Sequence, residues 1–218
     1  MRVNYDRFNQ AFFAQQHGIE PWMSTSPALY AYLTGPEQGA VEAIAHILGM
    51  MAYSGGTLVQ SMSVSVHGDY TGNDITWCNS AAALAGERNL RLPWLSFGGT
   101  GAMAGALNDE AWYGVAIACI TACISGMEGM WLAGGSIGLE ARWAGEMARA
   151  AAGLSVSDGV AMIKKIAKKK REPKPEYTPL NELYDMESLR PKKEILDHYR
   201  KFTRIFKDLG LDYPTWDS

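Results

Sequence analysis

Three times between residues 57 and 153, a short stretch suited to a β-strand leads into a glycine turn and then a segment with helical period. The strand candidates are 57–67, Leu92–Phe97 and Met127–Leu132, and glycine pairs follow the second and third at 98–99 and 134–135. The units recur at roughly 35–40 residues, the spacing of a strand, a crossover helix and the next parallel strand. The order therefore demands an α/β fold with a parallel sheet. A closed eight-unit barrel takes about 250 residues. With three secure units and a possible fourth in 218 residues, the chain is too short to close a barrel alone.

Of these strands, 57–67 has the clearest alternation. Met62, Val64 and Val66 share one face, and Ser61, Ser63, Ser65 and His67 the other. A surface strand gives this pattern, and so does a barrel strand with a small polar inner face and an outer face packed on helices. Upstream, residues 3–17 fit a short strand or a helix, and the pattern does not choose. Gly18 to Pro36 holds three prolines and no period, and reads as a loop. Pro36 suits a first helical turn; Val41, Ile44, Ala45, Leu48 and Ala52 keep a helical period up to Gly55-Gly56. Further helices are expected from Asn73 or Asp74 to about Gly86, over about 110–125, and from Ser136 to Gly153. In the last, Ser136 can cap the first turn, Leu139, Trp143 and Met147 form one apolar stripe, and Arg142 and Glu146 can pair four residues apart. Gly138 and Gly145 inside it suggest a close backbone contact, and Gly153 suits the left-handed position after a helix end.

Ser155 with Asp158 forms a capping pattern for a helix that ends in the basic run Lys164–Arg171. That run reads as a solvated last turn complementing the helix dipole, or as a patch for an acidic partner. Glu172–Pro179 is a proline-broken linker, and an amphipathic helix with Ile195, Tyr199, Phe202, Phe206 and Leu209 runs to Gly210. The expected division is a half-barrel domain over 1–172 and a linker with a helical tail over 173–218.

A composition 47% hydrophobic and 20% charged is that of an ordinary globular protein, and a net charge of −3 gives no reason to expect nucleic acid. No signal pattern or run of about 18 apolar residues suggests a membrane, so the expected location is cytoplasmic. Cys78, Cys119 and Cys123 make no disulfide framework. Cys119 and Cys123 lie one helical turn apart, but two soft ligands fall short of a metal site, and buried inert thiols are the plainer reading. No metal is expected.

Gly138-Leu139-Glu140-Ala141-Arg142, then Gly145-Glu146, Ala148-Arg149-Ala150 and Ala152-Gly153, resemble the C-terminal part of the monomethylamine methyltransferases. The similarity continues through Leu183-Tyr184-Asp185 to Asp208-Leu209-Gly210-Leu211 and is fainter from Arg2 to Gly135. It covers most of this chain but only the second half of a family member. The resemblance implies the C-terminal half of a TIM-type β/α barrel with a C-terminal helical extension. It also implies transfer of a methyl group from a methylated amine to cobalt(I) of a partner corrinoid protein, with release of ammonia. The cobalamin-type corrinoid would belong to that partner, and this chain would bind no cofactor directly. The family's pyrrolysine lies upstream of the matched region. An acidic residue of the family's amine site falls here at Ser24 or Thr25, and a glutamine falls near Pro93, which puts monomethylamine itself in doubt.

Bottom-up, no phosphate loop, zinc motif or serine-hydrolase elbow is present. Gly98-Gly99-Thr100-Gly101 can turn tightly or offer N–H groups to an anion. His67 and Asp69, in the loop ending the first strand, are the acid–base candidates. Ser65, Tyr70, Phe97, Gly98, Gly99, Thr100 and Glu128 are expected on substrate- or cofactor-facing loops. Three readings follow. The chain is the downstream half of a methyltransferase and needs an upstream half; or it is an inactive binding or scaffold subunit that completes its sheet with a homologous subunit or as a homo-oligomer; or it is a different small enzyme using His67 and Asp69. A parallel sheet cut halfway leaves an open edge, so the first two require a partner chain.

Overall fold

In the computed structural model, which describes residues 4–66, 70, 72–98, 105–132, 136–169 and 178–214, four short strands lie side by side in one parallel sheet. They are β1 (Trp22–Thr25), β3 (Leu58–Ser61), β5 (Trp94–Gly98) and β6 (Gly129–Leu132), and their spatial order is their order in the chain. Each leads to a helix: α2 (Pro36–Ser54), α3 (Asn73–Leu90), α4 (Asp109–Ile124) and α5 (Gly138–Ala151). The result is four consecutive β/α units, half the complement of an eight-stranded barrel. Among the described residues β1 and β6 each pair on one side only, so both sheet edges are open.

The fourth unit is the one the sequence hides. Gly18–Pro36, expected as a loop, contains β1 and the two-residue strand β2 (Ala28–Leu29). A four-residue strand between Pro21 and Pro27 is too short to show a period, and proline is tolerated there because the strand lies at an edge. Ahead of it, residues 5–16 form α1 (Tyr5–Gln16), capped by the Asn4 side chain.

The strand expected over 57–67 breaks after Ser61. β4 (Val64–Ser65) continues it and pairs with β2 in a small second sheet. Its faces are reversed relative to the helix-packed apolar face expected from alternation. Ser61 and Ser63 are fully buried against α3, whereas Val66 is exposed. The cause is Asn79 on α3. Its Oδ1 accepts from the Ser61 hydroxyl at 3.2 Å and from the Ser63 N–H at 3.1 Å, while the Ser63 hydroxyl lies 3.1 Å from the Cys78 sulfur. Small polar residues are buried there because each has a partner.

On α2 the buried side carries Gly39, Ala43 and Ile47; of the residues that keep the helical period, Ile44 packs on the same core, while Val41, Ala45, Leu48 and Ala52 face outward. Val41 is 72% and Leu48 49% exposed. Gly39 is held small by its surroundings, since a Cβ there would lie 2.5 Å from the Leu29 side chain and 2.8 Å from the Cys78 sulfur.

α4 is buried almost all round, as its unbroken apolar run predicts, because the sheet, α5 and α6 (Val156–Ala167) surround it. On α5 Leu139, Trp143 and Met147 are buried as one stripe, and Arg142 pairs with Glu146 at 3.1 Å. Two details of that helix differ from expectation. Ile137, not Ser136, occupies the N-cap and supplies no side-chain bond. A Cβ at Gly138 or Gly145 would meet nothing closer than 3.5 Å, so neither marks a tight helix approach. Cys119 and Cys123 donate to successive turns of α5, to Ala144 O at 3.4 Å and Ala148 O at 3.3 Å. Burial pushes both thiols upward, which disfavours the reactive thiolate at each.

Ser155 caps α6, accepting from the Asp158 N–H at 3.1 Å and donating to its carboxylate at 2.6 Å. After α7 (Leu180–Leu183), α8 (Lys193–Asp208) lays Tyr199, Phe202 and Phe206 against Trp112, Tyr113 and Trp143 in the largest core of the molecule. A second core lies between β1, β3 and β5 and the helices α2 and α3, around Met23, Ile47, Val59 and Trp94.

Candidate functional site

In β/α folds the loops at the C-terminal ends of parallel strands carry the chemistry. Here those loops join β2 to α2, β4 to α3, β5 to α4 and β6 to α5. His67, Asp69, Gly99 and Thr100, expected there, lie outside the described residues, as do the glycine pair 134–135 and residues 170–177 of the basic run and linker. Ser65 closes β4 opposite Leu29, and Tyr70 is half-buried just before α3. Phe97 and Gly98 end β5 opposite Trp131 and Leu132. Glu128 sits at the other end of the sheet, at the start of β6. Its carboxylate accepts the Trp94 N–H at 2.7 Å, and its own N–H donates to Trp94 O at 3.1 Å, extending the β5–β6 ladder by side chain and backbone together.

The sheet has a helix-covered face and an inner face, set by strand alternation. Met23, Val59 and Trp94 pack under the helices, so Trp22, Ser24, Leu58, Gln60 and Leu95 point to the inner face. Met130 packs under α4 beside Cys119, so Trp131 joins the inner set. Trp22 and Trp131, on the two edge strands, meet across this face with ring centroids 4.7 Å apart and remain about half exposed. Leu95 folds over β6 because Gly129 lacks a Cβ, which would lie 2.8 Å from it. Ser24 donates to Gln60 Oε1 at 3.4 Å. The Gln60 amide nitrogen is buried without a partner, an unmet donor on the inner face. None of these six side chains is charged, so among the described residues this inner face is aromatic, aliphatic, hydroxyl and amide.

One ionisable residue that sequence reasoning passed over stands at the C-terminal end of the sheet. Glu140, in the first turn of α5, is almost wholly buried, and burial pushes its carboxyl up to about 7, partly opposed by the Ile137 N–H. Beside it the Tyr184 hydroxyl accepts the Leu139 N–H at 2.9 Å, so the segment after α6 reaches this end of the sheet. The available signal was a glutamate between Leu139 and Trp143 in a helix first turn, where a carboxylate is usual and its burial is not. Among the described residues no group of His, Cys, Asp and Glu is arranged to hold a metal ion, and no helix is long and apolar enough to cross a membrane.

The sequence model of the monomethylamine methyltransferase MtmB family matches residues 1–211. No curated protein matches the sequence. Among solved structures, the Methanosarcina barkeri monomethylamine methyltransferase (MtmB) superposes with a TM-score of 0.86 at 18% identity, over 97% of this chain and 48% of the other. A hydroxylamine complex of MtmB gives 0.87 at 18% identity with the same coverage. At that identity the likeness speaks for the fold, and the chain spans about half the length of the structures it matches.

Proposed function

We propose, from the premise that this chain belongs to the monomethylamine methyltransferase family, that it is the downstream half of a β/α-barrel methyltransferase. With an upstream half it would move a methyl group from a methylated amine to a cobalt corrinoid carried by a partner protein. The observation that carries this reading is the four-strand parallel sheet with both edges open, in a chain that matches about half of a family member.

α1 supports the same reading. A helix that precedes a strand in a β/α fold normally packs on the sheet, yet α1 buries none of its residues and leaves Tyr5 74% and Phe13 61% exposed. A preceding strand paired to β1 would give α1 a surface to lie on. Within the completed barrel, Trp22 and Trp131 would line the interior and exclude water, and the Gln60 amide would orient a polar group of the substrate or of the facing half. His67 and Asp69 are proposed as the acid–base pair and Ser65, Tyr70, Phe97, Gly98, Gly99 and Thr100 as parts of the substrate- and corrinoid-facing loops. The corrinoid supplies the methyl-accepting cobalt when its carrier docks, and this chain would only shape the mouth through which the methyl group passes.

The test is co-expression with an upstream half, followed by addition of a reduced corrinoid protein and a series of methylated amines. Active halves methylate the cobalt, which changes its visible absorption, and His67→Ala and Asp69→Asn slow that change without dissociating the halves. No co-elution with any upstream half, together with a compact stable monomer alone, would sink the reading.

A second reading is favoured by one feature, the uncharged inner face, with Ser24 or Thr25 at the position where the family's carboxylate is expected. On that reading the chain is an inactive binding or scaffold subunit of the same descent. It predicts co-elution with a homologous chain but no cobalt methylation with any amine tried.

A further inference from the structure

Helix α5 has no capping side chain at its own N-cap. Ile137 holds that position and offers no side-chain acceptor, so the first-turn N–H groups need partners from elsewhere. Glu140, three residues on, reaches back to the Ile137 N–H, which is one half of a capping box. Tyr184 supplies the other half from 45 residues along the chain, its hydroxyl accepting the Leu139 N–H at 2.9 Å.

The segment that carries Tyr184 is a self-braced turn. The Asp185 N–H donates to Arg190 O at 2.9 Å and the Lys192 N–H to Leu183 O at 2.8 Å, and the Asp185 carboxylate accepts from the Ser188 N–H and hydroxyl. Its hold on the body is narrow. Leu183 is buried in the largest core and Tyr184 sits on α5, while residues 185–190 are all exposed.

Glu140 lies beneath that contact. It is 1% exposed, and its Oε1 has no hydrogen-bond partner. The Ser136 hydroxyl adjoins the carboxyl, also buried and without a well-formed bond. Burial pushes the Tyr184 hydroxyl up, the Leu139 N–H opposes this, and the charge of Glu140 adds to it, so the two groups are neighbours. Among the described residues no cation stands against Glu140. Arg142 pairs with Glu146, to which Tyr199 of α8 also donates at 2.7 Å, and Cys119 and Cys123 of α4 donate to α5 carbonyls. A dry carboxylate without a counter-charge costs far more than a dry carboxylic acid.

We propose that Tyr184 and Glu140 form a proton-dependent clamp: the turn stays closed on α5 while Glu140 carries a proton, and it lifts when that proton is lost. Lifting the turn lets water reach the carboxylate at small cost, because one side-chain hydrogen bond joins the turn to α5 whereas a whole aromatic core holds α8. The clamp stands where β6 gives way to α5, at the end of the sheet where a β/α fold carries its chemistry. It links the C-terminal extension to the mouth of the fold, whatever reaction takes place there. Below pH 4.5 the carboxyl is protonated whether the turn is open or closed. From there to pH 7 only the closed form holds the proton, so closure weakens by about tenfold per pH unit, and it levels off above 7.

The test is amide hydrogen exchange followed by nuclear magnetic resonance on the full chain, alone or bound to an upstream half, between pH 5 and 8. Rates are corrected for the intrinsic effect of pH. Protection of the Leu139 N–H should fall by about tenfold or more between pH 5 and 7, while the amides of α8 keep theirs. Glu140→Gln, which has no proton to lose, should hold that protection level across the range. Tyr184→Phe should remove it already at pH 5. A flat wild-type profile at Leu139 overturns the proposal. So does a fall that α8 shares, which would be global unfolding, and so does a fall that persists in Glu140→Gln. If circular dichroism shows that Glu140→Gln does not fold, Tyr184→Phe decides alone, and undiminished protection of Leu139 at pH 5 would mean that there is no clamp. None of these readings depends on methyl transfer, so the clamp and the proposed reaction stand or fall separately.

Discussion

The two ends of this half-barrel are packed very differently. Around α4, α5 and α8, Trp112, Trp143, Tyr199, Phe202 and Phe206 are fully buried and stack on one another. At the other end α1 carries Tyr5, Phe8, Phe12 and Phe13 and buries none of them, holding to α2 through a Gln15 side-chain bond to Ser54 O and a Phe8–Tyr53 ring contact. The aromatic content of the two segments is comparable, so composition does not explain the contrast. The difference is that α8 packs on α4 and α5, which its own chain supplies, whereas α1 stands beyond β1 with no strand beneath it among the described residues. The larger buried aromatic cluster lies in the C-terminal units, and α1 presents surface.

The contrast is broken most severely by Phe202→Ala. Truncating a fully buried aromatic should cost about 3–5 kcal/mol, read from urea unfolding, and a loss below about 1 kcal/mol would mean that α8 is not part of the cooperative core. In the second core Asn79→Ala should cost about 1–3 kcal/mol, because it leaves the Ser63 N–H and Ser61 hydroxyl buried without their acceptor. Asn79→Asp keeps an acceptor but buries a carboxylate, so it should also destabilise in the same unfolding titration.

The pH dependence separates two groups of opposite sign in the stable half. Burial against Trp112 and Phe202 pulls His198 down to about 4 from an ordinary 6.5. The unfolded chain then binds the extra proton, so this contribution is complete above pH 6.5 and is lost as pH falls towards 4. Glu140 is pushed up to about 7 from 4.5. The folded chain holds the extra proton, so its contribution is complete below pH 4.5 and is lost as pH rises through 7. Between pH 4.5 and 6.5 the two slopes oppose. His198→Gln should therefore leave stability falling with pH in that window, and Glu140→Gln should leave it rising. Parallel profiles in wild type and both variants would show that neither group titrates as its surroundings demand.

The smallest effect is expected at α1. Phe13→Ala in the isolated chain should change stability by less than about 0.5 kcal/mol. The same substitution should weaken co-elution with an upstream half if α1 gains its packing surface from that half, and an equal effect in both settings would remove α1 from the argument for a missing strand.

How much of this was legible in the sequence varies along the chain. The β/α order and the stripes of α5 and α8 could be read because a helix with one buried side repeats its apolar residues at a local, fixed period. Gly153, Ser155 and Gly210 could be read as punctuation, since left-handed backbone and an unpaired helix N–H each require particular residues within one turn. The family motif over Gly138–Gly153 was equally local. The short strands were another matter. β1 has four residues between prolines, and a span of that length carries no period.

Tertiary structure alone decided which faces meet. Alternation shows that Ser61 and Ser63 share a face but not that Asn79 waits opposite them. On α2, apolar residues at two stripes look alike in sequence, and only the position of the sheet shows that Gly39, Ala43 and Ile47 pack while Val41 and Leu48 do not. Glu140 reads as an ordinary first-turn carboxylate until Tyr184 and the surrounding core cover it. The physical reason is common to all three. Secondary structure and its punctuation arise from neighbours along the chain, whereas burial and the ionisation of a side chain depend on groups tens of residues away, which the sequence brings close only by folding.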